Sequence, residues 1–287
     1  MNRRQFIRTG LIFVPTWFIT QGIGGSVSLS ALDPEVYGWM GRVRANGGNY
    51  TSLSVVASDA ALKMVKASGH RSRILRWNLY CGLDLLACMT PLVNYSGNPA
   101  DTASGTAGGW VYSQATGLRG NGTDNCVITN FAAAAWPSDD DCCMGVYART
   151  NVGGADAIMG VSQGSGATDY MLIAYGGTAS YVAIHNTGNQ ISFADSFGLG
   201  HYMGSRISST DFRFYKNGVS QVGPVSGGGG RTIYTVVLHA YNVSGTGGAF
   251  SARTLGGYEL CQGLTGAQVL AHYGAVQRAQ TILGRPV

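Results

Sequence analysis

Two glutamates, Glu35 and Glu259, are all that the 287 residues contain, so chemistry needing a neighbouring pair of Glu carboxylates has almost no raw material. The densest acidic cluster is Asp139-Asp140-Asp141, directly after Trp136-Pro137-Ser138. Adjacent side chains of an extended strand point to opposite faces, and calcium needs several converging oxygens. The run therefore reads as a solvated loop, and calcium has no motif to support it. Gly160-Val161-Ser162-Gln163-Gly164 has the Gly-x-Ser-x-Gly spacing of a hydrolase nucleophile. That spacing works where a strand turns sharply into a helix, whereas Ser165 to Thr168 leads into another extended segment. The five histidines, His70, His185, His201, His239 and His272, are scattered along the chain. Six cysteines, Cys81, Cys88, Cys126, Cys142, Cys143 and Cys261, include no Cys-x-x-Cys and no Cys/His spacing suited to zinc. They read as buried free thiols, with one or two disulfides permitted if the chain is exported. No catalytic residue, metal ligand or cofactor is assigned.

Binding chemistry has more material. Carbohydrate recognition sets aromatic faces against sugar CH groups, with polar side chains nearby for the hydroxyls, and 15 Tyr and 5 Trp are available. Trp110, Tyr112 and Trp136 lie near turn-forming segments and are the candidate ligand contacts, set against the commoner use of such residues in a core. Charge argues against a nucleic-acid partner. Residues 1–80 carry +7 and residues 81–287 carry −2, and loss of Arg3, Arg4 and Arg8 would leave only +2 of the total +5.

Those three arginines belong to an address. Asn2-Arg3-Arg4-Gln5-Phe6-Ile7-Arg8 precedes the apolar stretch Leu11 to Ile19 and then small and polar residues to Ala31. This resembles a twin-arginine export signal, with Arg3, Arg4 and Phe6 as its marks. Asn2 stands where Ser or Thr is usual, and no Ala-x-Ala cleavage site is evident, so retention as an N-terminal anchor is the alternative to cleavage. The apolar run is too short for an ordinary membrane span. The chain is expected to be exported to the periplasm, the cell surface or the medium.

Positioning such residues falls to short strands. Glycine accounts for 44 residues and charged residues for only 11%, while 45% of the chain is hydrophobic. That is a composition of strands and tight turns rather than of disorder. Before the strands come helices. Asp33 ahead of Pro34 starts one that buries Val36, Trp39, Met40 and Val43, and Thr51 or Ser52 starts another with Val55, Leu62 and Val65 on one face. A third apolar block runs from Ile74 to Val93 and ends in the turn-rich Asn94 to Pro99. Beyond residue 105, strands are expected over 126–131, 144–149, 157–162, 170–175, 181–185, 202–208, 212–216, 232–240 and 249–255. Asn217-Gly218 marks a hairpin, because both turn positions require positive φ. Val269, Tyr273, Val276 and Leu283 form the stripe of a closing helix from Thr265. The expected blocks are 1–31 (export signal or anchor), 32–98 (small helical module) and 99–287 (antiparallel β-sandwich with a C-terminal helix).

The order of these parts resembles laminin-G-like jelly rolls of the concanavalin A-like lectin and glucanase superfamily. Gly117 to Asn125 looks like their opening strand and turn, Met144 to Arg149 like a following core strand, and Phe212 to Val219 like the strand ending in a Tyr-x-Asn-Gly hairpin. Gly263 to Gln268 matches the segment before their last helix. The arrangement with helices in front is also similar to phage and prophage proteins, where jelly rolls serve in tail fibres and adhesion. The resemblance implies a non-catalytic binding or structural module that recognises a glycan or another surface, as a monomer or a homo-oligomer, and it leaves a virion-associated role open. The glycosidase motif Glu-x-Asp-x-x-Glu of that superfamily is absent. Lys216 to Gln221 echoes a jelly-roll polysaccharide lyase strand, but Ser220 stands where the catalytic tyrosine belongs. A carbohydrate-active enzyme remains the alternative, with His185, Asp195 or Asp211 as the residues to change. A purely structural fibre or capsid-decorating protein is the third reading.

Overall fold

The structure, a computed structural model, describes residues 31–95, 99–150, 155–164, 171–176, 179–184, 191–194 and 198–286. Asp33 caps helix α1 (Pro34–Ala45) by accepting from the Glu35 amide at 2.9 Å, and Val36, Trp39 and Val43 are buried along one stripe. Thr51 and Ser54 form a reciprocal capping box at the start of α2 (Ser52–Ala67). The third apolar block divides. Its first part is strand β1 (Ile74–Asn78), and its second includes the single helical turn α3 (Leu85–Cys88). The segment 32–98 read as a helical module thus also supplies a strand, and Asp33–Val287 form one compact unit.

The next strands are β2 (Thr102–Ser104), β3 (Val111–Ser113), β4 (Gly117–Arg119), β5 (Cys126–Ala132), β6 (Cys142–Ala148), β7 (Ala155–Ser162), β8 (Met171–Gly176), β9 (Ser180–Ile184) and β10 (Ile191–Phe193). They are followed by β11 (Gly200–Ser208), β12 (Asp211–Lys216), β13 (Val219–Val225), β14 (Thr235–Leu238), β15 (Tyr241–Val243), β16 (Thr246–Gly248) and β17 (Thr254–Cys261), and helix α4 (Gly266–Ile282) closes the chain. Among the described residues, one sheet runs β13-β12-β11-β6-β17-β4-β3, with β1 also paired to β17. The other runs β10-β9-β8-β7-β14-β5-β2, with β15 also paired to β7 and β16 to β15. Pairing is antiparallel throughout except between β15 and β7. The mainly β sandwich with helices before and after it is therefore the fold.

Alternation along the strands explains the layers. Met144, Val146, Tyr202, Phe212, Phe214, Tyr258 and Leu260 of the first sheet meet Val127, Ile158, Val161, Ile173, Val182, Val236 and Leu238 of the second in one core. Each fully buried aliphatic there contributes about 1.5–3 kcal/mol. All residues of β6 and β17 are buried, on both faces, because α4 covers the outer face of the first sheet. Tyr147 Oη bonds Gln277 at 2.8 Å across that layer, and Gln280 bonds the Gly256 carbonyl at 3.0 Å. The strand expected over 249–255 lies further on, as β17. Pairing with β6 continues past Gly256-Gly257, with a register shift between Leu255 and Gly257, and β1 joins from Tyr258 onward. No helix among the described residues is long and apolar enough to cross a membrane.

Candidate functional site

The residues singled out by sequence do not converge. Trp136 is 1% exposed and its indole N–H donates to the Cys261 carbonyl, so no face is free to stack on a sugar. Trp110 is half-buried, edge-on to His239 with ring centroids 5.5 Å apart. The Tyr112 hydroxyl bonds the Tyr80 carbonyl at 3.1 Å, which turns its polar end inward. The acidic run is partly exposed, its side chains at 39%, 42% and 29%, and it is divided among three arginines. Asp139 pairs with Arg231 at 2.5 Å, Asp140 lies 3.6 Å from Arg206, and Asp141 pairs with Arg73. Ser162 is buried in β7, its hydroxyl closing a local turn with Gly164 at 2.8 Å. All six cysteines are free and buried. Arg3, Arg4 and Phe6 of the export motif, with His185 and Asp195, lie outside the described residues.

Asp211 is different, because it lines a cleft of about 320 Å³. The cleft lies on the outer face of β11, β12 and β13. Alternate residues of a strand share a face, which brings Ser205 and Ile207 of β11, Asp211, Arg213 and Tyr215 of β12, and Ser220 of β13 to one side. Register completes the floor, with Ser205 opposite Arg213 and Tyr215 opposite Ser220. Leu264 and Gly266, at the start of α4, form the remaining wall. Ser205 fixes that wall twice, donating to the Leu264 carbonyl at 2.8 Å and accepting from its amide at 2.7 Å. The hairpin tip is equally specified. Asn217 and Gly218 have φ of 50° and 77°, and a Cβ on Gly218 would come within 2.9 Å of Leu270 on α4.

Charge in the cleft is paired. Arg213 Nε donates to Asp211 at 2.7 Å, and this bond raises the arginine above its ordinary value. Burial raises the Tyr215 phenol, with nearby Arg213 pulling the other way. The arrangement offers a hydroxyl, a guanidinium, a carboxylate, a phenol and the exposed aliphatic Ile207, a mixture suited to a polyol with CH faces. Sequence reading found Asp211 but missed its partners. The available signal was the alternation 211, 213, 215 ahead of the Asn217-Gly218 turn, which places three polar-tipped residues on one face.

A second constellation lies on the same sheet face, under α4. His201 of β11, Glu259 of β17 and His272 of α4 are 1%, 1% and 0% exposed, and their ligand-type atoms lie within 4.8 Å of one another. His201 Nε2 bonds one oxygen of Glu259, and His272 Nε2 lies 3.8 Å from the other. Burial alone would push the Glu259 carboxyl up, but the facing imidazoles, His201 foremost, hold it at about 2. His272 Nδ1 lies 3.3 Å from His70 Nε2, whose Nδ1 lies 3.0 Å from the Ser68 hydroxyl. No spacing in the sequence announces this group, because its members come from separate elements.

No family model matches the chain, and no curated protein matches it. Among solved structures it is similar to a mutant Trypanosoma rangeli sialidase displaying trans-sialidase activity, 10% identical, with a TM-score of 0.50 over 87% of this chain and 38% of that one. It is also similar to botulinum neurotoxin type C, whose cell entry depends on two ganglioside molecules, at 8% identity and a TM-score of 0.49 over 74% of this chain and 53% of that one. NanB sialidase from Streptococcus pneumoniae matches 45% of this chain and 23% of its own length, at 14% identity and a TM-score of 0.37. The chain spans less than two thirds of each, and at such identities the likeness concerns the fold alone.

Proposed function

We propose that the protein is an exported, non-catalytic recognition module that binds a glycan in the cleft between β11–β13 and the start of α4. The observation that carries this reading is the cleft itself, where Arg213, Asp211, Ser205, Ser220 and Tyr215 bring hydrogen-bonding groups to one face beside exposed Ile207. Hydroxyl-rich ligands need paired donors and acceptors together with a small apolar surface, and the cleft supplies both. A hydrolytic role asks for two carboxyl groups flanking the scissile bond. Asp211 is the one carboxylate among the residues lining the cleft, and it is engaged by Arg213. Export and the concanavalin A-like relationship belong to the same proposal, resting on the Arg3-Arg4 leader and on the order of the sandwich segments.

The test is a glycan and polysaccharide array probed with the full chain, read for retention and for released product. Retention without product is expected. Ser220→Trp, at an exposed rim position, and Arg213→Ala should each weaken it at least about tenfold, a loss of about 1.4 kcal/mol, with the melting temperature unchanged. Retention untouched by both changes would remove the cleft as the site, and product release would make the protein an enzyme.

A further inference from the structure

His201, Glu259 and His272 form a group that the glycan reading does not use. The geometry points to a site for one divalent transition-metal cation of the zinc class, held by these three side chains and fastening α4 to the first sheet. Two imidazoles and a carboxylate are a donor set zinc accepts, with bonds of about 2.0–2.2 Å.

Hydrogen bonding alone leaves the group incomplete. His272 Nε2 is fully buried and has no hydrogen-bond partner, and at 3.8 Å the Glu259 oxygen is too distant to be one. Consider the two neutral tautomers of His272. If His272 Nδ1 carries the proton and donates to His70, then Nε2 presents a bare lone pair to a carboxylate. Two electron-rich groups facing each other in a dry interior repel, and a cation between them removes the repulsion. If His70 donates instead, the Nε2 hydrogen of His272 points across a gap too wide for a bond, and a buried donor goes unmet. The first arrangement also gives His272 the outer hydrogen bond characteristic of metal-bound imidazoles, through His70 and on to Ser68.

Room for the carboxylate is built in. Gly145 faces Glu259 across β6 and β17, and a Cβ there would lie 2.0 Å from Glu259 Oε1. Any other residue at this position would displace the oxygen nearest His201. With all three side chains at most 1% exposed, a substrate has no approach, so the cation is structural.

The experiment uses the full chain, stripped with a chelator and titrated with Zn²⁺. One equivalent should bind, and the melting temperature should rise with zinc. Absorption at the zinc edge should show nitrogen and oxygen ligands at about 2.0–2.2 Å and no sulfur. His201→Gln and His272→Gln should each weaken binding at least about a hundredfold, the upper range for loss of even an outer-shell partner. His239→Asn, at a buried histidine elsewhere, should leave binding intact. Failure of the wild-type chain to take up zinc overturns the assignment, as does sulfur in the shell or binding that survives both glutamine substitutions. Should the substituted chains not fold, the wild-type edge spectrum decides.

Discussion

Individual buried polar residues account for much of what this protein asks of its surroundings. Arg76 and Asp101 are both fully desolvated and pair at 2.7 Å, and Asp101 also accepts from Tyr258 at 2.7 Å and Asn78 at 2.9 Å. That carboxylate is satisfied, as a buried charge must be. His239 is a costlier case. Burial lowers its pKa from 6.5 to about 4. The unfolded chain therefore takes up a proton on this residue as pH falls through 6.5, while the folded chain does so only near 4. Stability due to His239 is complete above 6.5 and is lost as pH drops through that window, by about 3 kcal/mol in all. His239→Asn removes the titration and keeps a residue type that tolerates the φ of 59° found there. Urea unfolding at a series of pH values should show a shallower acid loss in the variant than in wild type. Parallel curves for the two proteins would mean that His239 does not titrate this way.

At the scale of elements, the β12–β13 hairpin and α4 specify each other. Gly218 needs positive φ for the turn, and its missing side chain lets the turn rest against Leu270. Gly218→Ala should cost about 1–3 kcal/mol, because backbone strain and a steric clash act at the same place. Gly228→Ala, in a loop where a Cβ meets open space, should cost little by comparison. Denaturant midpoints for the two variants provide the measurement, and equal shifts would discount the contact with α4. The hairpin itself was readable, since Asn-Gly between alternating apolar residues has few other uses. Helix starts were readable for the same local reason. Asp33 and Thr51 cap where their side chains can reach the first free amides, and Thr265 does so with Gln268 at the start of α4. β1 was not readable as a strand, because Ile74–Asn78 is continuous with an apolar block and shows no alternation of its own.

Over the whole unit 33–287, three layers share the first sheet. Its inner face meets the second sheet, and its outer face is covered by α4, which packs on α2. Helices and sandwich should therefore unfold together. Far-ultraviolet dichroism, which reports the helices, and tryptophan fluorescence, to which Trp39 of α1, Trp77 of β1 and Trp136 of the sandwich core all contribute, should give coincident single transitions. Two separated transitions would show that the helical layer is an independent module.

Local chemistry in the chain was enough to establish the helix caps, about half of the strands, the Asn217-Gly218 turn and the shortage of glutamates. Each of these depends on residues within a few positions of one another, where backbone preference and side-chain alternation act directly. The cleft and the buried histidine group depend on register instead. Ser205 meets Arg213, and Glu259 meets Gly145, only because particular strands pair with a particular offset, and a slip of one residue would turn each to the opposite face. His272 joins them because α4 folds back over the sheet, a long-range packing event that no short window of sequence contains. Long-range packing likewise buried Trp136 in the core between the sheets and, with the start of α4, left Asp211 in a cleft, since a side chain's exposure is decided by what the rest of the chain places upon it.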